Sequence, residues 1–528
     1  MFRFLRMVVA TLVITSLTLF FADSQGILPT QCHLLASIQF LPAILAGSTL
    51  VVAALVLATL LFGRIYCSVL CPLGILQDML AFCKRLVRGK KRQKYEYAPA
   101  RTRTRALFFL VFIIGLIGCP ILAALLDPYS SFGRIASSLV RPVAVHLNNL
   151  LVPVSKYLGY YLLFPADAAV TSYVALSVAL ISFAVIGYLA LRYGRLYCNT
   201  VCPVGTLLGF LARFSPFRVR IDAEKCIKCK LCATKCKSSC LDLEQHKVDA
   251  SRCVVCFNCL GNCPKNAIHY GLPVKSKESP SESNGDELQA QKREPSSNDI
   301  PADPSKRQFL ATLTAVAATA AATTPKALAE TLDIVMTGHK PYRREHPITP
   351  PGSVSLSEFQ RRCTSCHLCV SKCSSKAIKP SLLEYGLAGI MQPVMSFERG
   401  FCAYDCTDCG QVCPTGAIRP LTVEQKHQTQ AGQVVLILEN CVVQVDETSC
   451  GACAEHCPTQ AVKMVPYKDG LTIPETNPAL CIGCGACEYI CPVRPYRAIH
   501  VKGNPVHQES VLPPKSEKKD VKLDDFGF

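Results

Sequence analysis

The sequence CVVCFNCLGNCP at residues 253–264 places four cysteines in the pattern C-x2-C-x2-C-x3-C, followed by a proline. Three closely spaced thiolates can wrap one face of a 4Fe–4S cubane, whereas the fourth cysteine points away and binds the other cluster of a pair. Structural zinc sites instead bring together two separated C-x2-C pairs. The pattern therefore favours iron–sulfur clusters over zinc and predicts an α+β ferredoxin-like fold.

A second set of the same kind lies just before it, so residues 222–272 are predicted to form a two-cluster ferredoxin domain. The crossed rule assigns one cluster to Cys226, Cys229, Cys232 and Cys263. It assigns the partner cluster to Cys253, Cys256, Cys259 and Cys236. Cys240 is a further thiol that can replace Cys236, and the sequence leaves this choice open.

Four more sets predict a four-cluster ferredoxin domain at residues 355–502. They are Cys363, Cys366, Cys369, Cys373; Cys402, Cys406, Cys409, Cys413; Cys441, Cys450, Cys453, Cys457; and Cys481, Cys484, Cys487, Cys491. An alanine followed by isoleucine or valine recurs behind the sets, at Ala267–Ile268, Ala377–Ile378, Ala417–Ile418, Ala461–Val462 and Ala498–Ile499. This recurrence makes accidental clustering implausible, so 24 of the 32 cysteines are predicted to bind about six 4Fe–4S clusters.

Other uses of cysteine fit less well. A disulfide framework would not place the cysteines in six sets with metal-ligand spacing. The segment Cys363–His367 matches the C-x-x-C-H pattern of haem attachment, but Cys366 also belongs to an unbroken cubane motif. We therefore expect no haem and interpret His367 as a surface residue. Cys32, Cys83 and Cys119 read as ordinary thiols.

The net charge of +18 does not indicate nucleic-acid binding, because of where the charge lies. Residues 84–105 contain ten Lys or Arg and one acid, and they lie between two apolar segments. Basic loops of this kind mark the cytoplasmic side of a membrane protein. The arginines at both ends of the helical region also predict cytoplasmic ends, so the two-cluster ferredoxin domain is expected in the cytoplasm.

Residues 1–221 are predicted to form a polytopic α-helical membrane anchor of about four helices in a bacterial inner membrane. Residues 40–62, 106–126 and 168–191 are uncharged and long enough to span a bilayer. Met7–Ala22 is interpreted as a retained first helix rather than a cleaved signal peptide. The apolar piece Leu147–Phe164 is expected to be interfacial or re-entrant, because a further span would place basic residues outside.

The anchor contains an internal repeat. GRIYCSVLCPLG at residues 63–74 and GRLYCNTVCPVG at residues 194–205 match at seven of twelve positions. Each copy carries a C-x3-C-P motif, formed by Cys67 and Cys71, and by Cys198 and Cys202. The residues alone leave three roles open for these cysteines: a thiol/disulfide couple, a metal site shared across the repeat, or part of a quinone pocket.

The segments between the domains differ in composition. Residues 273–304 are polar and predict a disordered linker, and residues 503–528 predict a polar tail. Residues 305–330 begin SKRQFL, continue as an Ala/Thr-rich stretch and end ALAE, which predicts a twin-arginine-like leader or an extra helix. A Lys306–Arg307 pair stands where such a leader has two arginines. Export through this leader predicts a periplasmic C-terminal ferredoxin domain.

The helices, the two C-x3-C-P motifs and the ferredoxin of the first 270 or so residues resemble NapH-type membrane quinol dehydrogenases. Residues 305–500 resemble the NapG/MauM group of four-cluster ferredoxins, including the wide gap between Cys441 and Cys450. The resemblance implies a fusion that passes electrons from the quinol/quinone pool to a periplasmic reductase. It also implies that the first cysteine set of the second domain pairs with the fourth, and the second with the third.

Two other functions remain open at this level. One is maturation or reactivation of a metalloenzyme, and the other is electron transfer between a cytoplasmic donor and the quinone pool. A membrane-anchored zinc scaffold is the binding-only alternative. No catalytic acid–base constellation accompanies the cysteines, so any enzyme role is at most that of a quinol dehydrogenase subunit.

Overall fold

The computed structural model describes residues 2–23, 26–88, 95–159, 163–166, 172–272 and 340–511. One compact unit contains Met1–Leu272, Arg344–Pro492 and Arg497–Phe528. The other unit includes, of the described residues, only 340–343 and 493–496, which form no helix or strand. The predicted linker 273–304 and the predicted leader 305–330 lie outside the described residues.

The N-terminal region is helical, as its long apolar runs predict. Its helices are α1 (Phe2–Ala22), α2 (Leu34–Ser37), α3 (Phe40–Leu45), α4 (Thr49–Phe62), α5 (Tyr66–Val69), α6 (Pro72–Arg88), α7 (Thr102–Gly118), α8 (Pro120–Leu126), α9 (Pro128–Ile135), α10 (Arg141–Tyr157), α11 (Tyr173–Tyr193), α12 (Leu196–Thr200) and α13 (Pro203–Leu211). A π-helical turn at Ala136–Val140 joins α9 to α10.

Three helical stretches among the described residues are long and apolar enough to cross a membrane: Phe2–Ala22, Pro128–Tyr157 and Tyr173–Tyr193. The stretches 40–62 and 106–126, which are predicted to span the membrane, are each divided between two helices. The first is broken at Gly47, whose φ is +74°, and the second at Pro120, which cannot continue the hydrogen-bond ladder of α7.

The segment predicted to be interfacial also differs from expectation. Its part up to Tyr157 is the end of the continuous helical stretch Pro128–Tyr157. The Asp127 carboxylate caps the start of this stretch by accepting a hydrogen bond of 2.8 Å from the Ser130 backbone N–H. The helix continues to Tyr157 even though Pro153 lies inside α10.

The first ferredoxin region, residues 218–272, is built from short antiparallel pairs of strands. β1 (Arg218–Ile221) pairs with β4 (Ile268–Gly271), and β2 (Leu241–Asp242) pairs with β3 (Lys247–Val248). α14 (Leu231–Thr234) lies between them in the chain. This is the α+β arrangement that the cysteine spacing predicts.

The second ferredoxin region, residues 344–511, contains more strands and helices of the same short kind. Its strands are β5 (Ile378–Pro380), β6 (Pro393–Met395), β7 (Thr429–Leu436), β8 (Val462–Pro466), β9 (Thr472–Thr476) and β10 (Ile499–Glu509). Its α-helices are Leu356–Arg362, Leu368–Lys372, Asp408–Gln411, Val423–Gln428, Val442–Val445, Ala452–Glu455 and Ala486–Ile490. β10 pairs with β7 as far as Glu509, so the boundary predicted at 502 is wrong: it cuts a strand that the domain needs.

α1 contacts both ferredoxin regions. At its amino end, the ring of Phe2 lies 5.6 Å from the ring of Phe257 in the first region. Just past its carboxyl end, Asp23 accepts a hydrogen bond of 2.6 Å from Lys372 in the second region. A helix rises about 1.5 Å per residue, so α1 is about 30 Å long. The two ferredoxin regions therefore lie at opposite ends of α1.

Candidate iron–sulfur sites

The first ferredoxin region brings together the first predicted ligand set. A small cavity is lined by Cys226, Cys229, Cys232 and Cys263, among others. Burial raises the pKa of Cys232 to about 11, and repulsion from the thiolates of Cys229 and Cys226 adds to this rise. We call these four cysteines site 1. Their grouping follows the crossed rule, and their role as ligands stays a prediction.

Site 2 consists of Cys253, Cys256, Cys259 and Cys236. Burial raises the pKa of Cys256 to about 11, and the thiolates of Cys236 and Cys253 contribute. Cys240 borders the same site, since its Sγ lies 3.6 Å from the Sγ of Cys236. Cys236 interacts electrostatically with Cys256 and Cys259, whereas Cys240 hydrogen-bonds to Cys236 and Cys253, so either thiol can be the fourth ligand.

The second ferredoxin region pairs its first two sets. Burial raises the pKa of Cys363 well above its usual value, and the thiolates of Cys366 and Cys413 raise it further. Burial likewise raises the pKa of Cys409, and Cys402 and Cys373 raise it further. Site 3 is therefore Cys363, Cys366, Cys369 and Cys413, and site 4 is Cys402, Cys406, Cys409 and Cys373.

The last two sets pair with each other in the same way. Burial raises the pKa of Cys453 to about 12, and Cys450, Cys441 and Cys491 contribute. Burial raises the pKa of Cys487 well above its usual value, and the thiolates of Cys484, Cys481 and Cys457 raise it further. Site 5 is therefore Cys441, Cys450, Cys453 and Cys491, and site 6 is Cys481, Cys484, Cys487 and Cys457.

This grouping of thiols differs from the pairing that the family resemblance implies, in which the first set pairs with the fourth, and the ligands of each cluster stay a prediction. The linker from Cys373 to Cys402 is short, and closing a short loop costs less entropy than closing the far longer loop to Cys491. The Cys402 backbone N–H also donates a hydrogen bond of 2.9 Å to the Cys484 carbonyl, which places site 4 beside site 6. The four sites thus follow one another in the order 3, 4, 6 and 5.

The alanine behind two of the sets contacts a cysteine sulfur directly. The backbone N–H of Ala267 lies 3.2 Å from the Sγ of Cys263, and that of Ala461 lies 3.2 Å from the Sγ of Cys457. Such donors stabilise the thiolate form and tune a cluster. The residue after the alanine begins a strand at Ile268, Ile378, Val462 and Ile499.

The interpretation of His367 as a surface residue is wrong. Its side chain is 1% exposed, and its Nε2 lies 2.8 Å from the Met391 carbonyl oxygen. Its backbone φ of +62° turns the chain inward between Cys366 and Cys369. The ring therefore packs into the wall of site 3.

The two C-x3-C-P motifs also meet. Cys67, Cys71, Cys198 and Cys202, which we call the repeat site, are each 2–4% exposed. Burial raises the pKa of Cys71, and the thiolates of Cys198 and Cys67 raise it further. Burial raises the pKa of Cys202 well above its usual value, and the other three thiolates contribute. Two cysteine pairs from distant hairpins thus converge on one place.

The arginine and the last glycine of each motif hold the repeat together by equivalent contacts. Arg195 donates a hydrogen bond to the Cys67 carbonyl, and Arg64 donates one of 3.2 Å to the Cys198 carbonyl. A Cβ at Gly74 would clash with the Cys67 carbonyl, and one at Gly205 would clash with the Cys198 carbonyl. Only glycine allows this close approach of helix and backbone.

Sequence reasoning missed the charged residues around the repeat site. Asp78 forms ion pairs with Arg6 at 3.3 Å, Arg195 at 2.9 Å and Lys237 at 3.2 Å. Arg134 is fully buried and reaches the Ser365 carbonyl oxygen at 3.5 Å. The recurrence of Gly-Arg before each Tyr-Cys pair was the available signal for Arg64 and Arg195.

Comparisons with known families agree with an iron–sulfur role. Residues 44–92 and 174–222 each match a family described as a 4Fe-4S binding domain, and residues 448–494 match a 4Fe-4S dicluster domain. The first two matches contain the two halves of the repeat. No solved structure matches the chain.

Two curated relatives are similar over part of the chain. The ferredoxin-type protein NapF of Escherichia coli (strain K12) is 30% identical over 146 residues, which make up 28% of this chain and 80% of NapF. The methylamine utilization ferredoxin-type protein MauM of Methylobacillus flagellatus is 30% identical over 156 residues, which are 27% of this chain and 63% of MauM. The chain is an iron–sulfur electron-transfer protein, and it belongs to the ferredoxin-type 4Fe-4S proteins related to NapF and MauM.

Proposed function

We propose that the protein is membrane-bound, takes electrons from quinol on the cytoplasmic side, and passes them through its clusters to a periplasmic reductase. The observation that carries this proposal is the arrangement around α1. The first ferredoxin region contacts one end of this apolar helix and the second ferredoxin region contacts the other. A helix of about 30 Å matches the hydrocarbon thickness of a bilayer.

A cavity beside site 2 is suited to a quinol. Its volume is about 420 Å³, and it lies between α1, α6 and the first ferredoxin region. Met7, Ala10, Ile75, Met79 and Phe82 give it an apolar wall, which fits an isoprenoid-substituted ring.

The opposite wall of the cavity is polar. It is formed by Lys235, Lys237, Asn258 and Asn262 of the first ferredoxin region. Asn258 directly precedes Cys259 of site 2, so a head group held by these residues lies close to the cluster ligands. The polar groups orient the quinol hydroxyls, and the apolar wall excludes water from the ring.

Oxidation of one quinol releases two protons and two electrons. Clusters of the 4Fe–4S type transfer single electrons, so the two electrons leave the cavity one after the other. The order of sites 3, 4, 6 and 5 then gives a direction through the second ferredoxin region, with site 5 at the far end. The loop before Cys450, with Val445 56% exposed, would face the acceptor.

Filling the cavity tests the quinol site. Thr11 lines the cavity, whereas the neighbouring Leu12 does not and is 61% exposed. We expect Thr11→Trp to slow reduction of the clusters by a quinol analogue about tenfold, a loss of roughly 1.4 kcal/mol of transition-state stabilisation. Leu12→Trp is the matched control and should keep the wild-type rate.

Chemical reduction by dithionite should remain equal in both variants, which shows that the clusters are intact. Equal quinol rates in Thr11→Trp and in the wild type would refute this site. A protein whose clusters never respond to quinol would favour a role in maturation of a metalloenzyme.

Protease treatment of intact spheroplasts tests the sidedness. We expect cleavage within or beside residues 344–511 and protection of residues 222–272. Protection of both regions, in spheroplasts whose outer face is accessible, would place all clusters in the cytoplasm and remove the periplasmic acceptor.

A further inference from the structure

We propose that Cys67, Cys71, Cys198 and Cys202 together hold one further cluster of the 4Fe–4S type, in addition to the six of the ferredoxin regions. The family description covers each half of the repeat separately. The structure adds that the two halves share a single site. This inference does not rest on quinol oxidation, because the cluster can be counted without any quinol.

The first argument is the donor set. One C-x3-C-P motif supplies two thiols, which cannot complete a cubane, but the two motifs together supply four. All four are buried, and Arg64 links the two hairpins, because it donates hydrogen bonds to the Cys67 sulfur and to the Cys198 carbonyl oxygen. A cubane between the two hairpins would use all four as ligands.

The second argument is charge. Arg64 is 0% exposed, and the acceptors of its hydrogen bonds are the Asn199 amide oxygen, the carbonyls of Ser251 and Cys198, and the Cys67 thiol. None of these is a carboxylate, and its Nε finds no acceptor among the described residues. Burying an unpaired guanidinium is costly, and four neutral thiols do not offset that cost.

A cluster bound by four thiolates resolves this imbalance because it carries a net negative charge. The second ferredoxin region also buries a cation beside a set of thiols. Lys426 is 3% exposed and donates hydrogen bonds to the carbonyls of Ala403 and Cys406 beside site 4. A buried cation next to a thiolate set is therefore a recurring feature of this chain.

The third argument is hydrogen bonding to sulfur. Gln77 Nε2 lies 3.2 Å from the Sγ of Cys198, and the Gly205 backbone N–H lies 3.3 Å from the Sγ of Cys202. These distances match the N–H to sulfur contact of Ala267 with Cys263 in site 1. Donors aimed at sulfur favour the thiolate form that a cluster requires.

Other occupants fit less well. No three His, Cys, Asp or Glu side chains among the described residues converge tightly enough to hold a single metal ion. The four thiols are free rather than joined in disulfides. A multinuclear cluster spaces its ligands farther apart than one ion does, which agrees with four thiols that interact without touching.

The position of the site gives the cluster a role. One continuous apolar core contains Cys67, Cys71 and Cys202 and packs against Cys256 of site 2 and Cys366 of site 3. The Tyr197 hydroxyl, next to Cys198, reaches the Leu126 carbonyl at 3.5 Å, and Arg134 reaches toward Ser365 beside site 3. The cluster would accept one electron from site 2 and pass the same electron to site 3, so it bridges the length of α1.

Iron counting on the intact chain tests the proposal. Seven cubanes require about 28 iron atoms per chain, whereas six require about 24. Native mass spectrometry of the anaerobically purified, detergent-solubilised protein should therefore show seven clusters. Six fully occupied clusters in the wild-type protein would overturn the proposal without any variant.

Variants then locate the extra cluster. Cys67→Ala combined with Cys198→Ala should lose about four irons and keep the six ferredoxin clusters. Cys83→Ser, which removes an exposed thiol of α6, is the matched control and should keep about 28 irons. Loss of one zinc or copper ion, or of no metal, from the double variant would identify a single-ion site or a thiol couple and refute the cluster.

Discussion

The turn 253–259 supplies three predicted ligands of site 2 from seven residues, whereas the repeat site takes Cys67 and Cys71 from one hairpin and Cys198 and Cys202 from another. The ferredoxin turns have little apolar core, so the bound cluster is part of what folds them. The repeat is held by helix packing, by Arg64 and Arg195, and by two glycine contacts. A site made of local turns should therefore depend on its metal for folding, and a site made by packed helices should not.

The largest expected effect separates the two kinds of site directly. Cys256→Ser should lose the cluster of site 2 and shorten the protease half-life of residues 222–272 by about tenfold or more, which corresponds to ~1.4 kcal/mol. Cys198→Ser should lose the cluster of the repeat site and leave the protease resistance of the helices unchanged. Limited proteolysis with iron analysis measures both, and equal collapse of the two variants would break the comparison.

The contact between α1 and the second ferredoxin region comes next. Asp23 and Lys372 are buried partners, with side chains 6% and 8% exposed, so Asp23→Asn leaves a buried charge unpaired at a cost of about 3 kcal/mol. The rate of backbone amide hydrogen exchange at Leu368–Lys372 should rise strongly in this variant. Asp222→Asn removes the exposed pair with Lys225 and should change exchange in its own region little.

The same pair predicts a pH response. Burial acts to raise the pKa of Asp23, but the hydrogen bond and charge of Lys372 outweigh it and lower the pKa below its usual value. A lowered carboxyl pKa contributes stability above the usual value near 4 and loses it as the pH falls through the lowered one. Protection of Leu368–Lys372 should thus be constant from about pH 7 to 5. A loss within that range would contradict the assignment.

A smaller effect is expected where the helices approach most closely. Gly205→Ala places a Cβ against the Cys198 carbonyl, and overpacking of this kind costs about 1–3 kcal/mol. We expect a lower thermal midpoint and partial iron loss from the repeat site. Gly187→Ala in α11 meets nothing within 4 Å and is the control. An unchanged Gly205→Ala protein would show that the helices do not define this site.

The smallest effect concerns electronic tuning. Arg64→Gln removes a positive charge beside the repeat site, so adding an electron there becomes less favourable. A change of ~1.4 kcal/mol corresponds to a one-electron potential about 60 mV lower. Redox titration followed by electron paramagnetic resonance measures it, with the exposed Arg361→Gln as control. A change confined to the potential of a ferredoxin cluster would show that Arg64 tunes that cluster and not the one proposed at the repeat site.

The sequence by itself determined the local features. The six ligand sets follow from spacing within a few residues, because one turn of backbone fixes which thiols can face one cubane. The crossed grouping of sites 1 and 2 was also predicted from the sequence, because residues 222–272 contain only two sets of cysteines. The repeat was visible as seven matching positions, although its chemistry stayed open among three alternatives.

The tertiary structure alone decided everything that depends on which distant segments pack together. It grouped the four sets of the second region as neighbours in sequence, turned His367 inward, and extended β10 beyond residue 502 to pair with β7. It also brought the two C-x3-C-P motifs into one buried site beside Arg64. Motif spacing alone does not determine these contacts, because they arise from packing between separate segments of the chain, where burial and charge compensation select the arrangement.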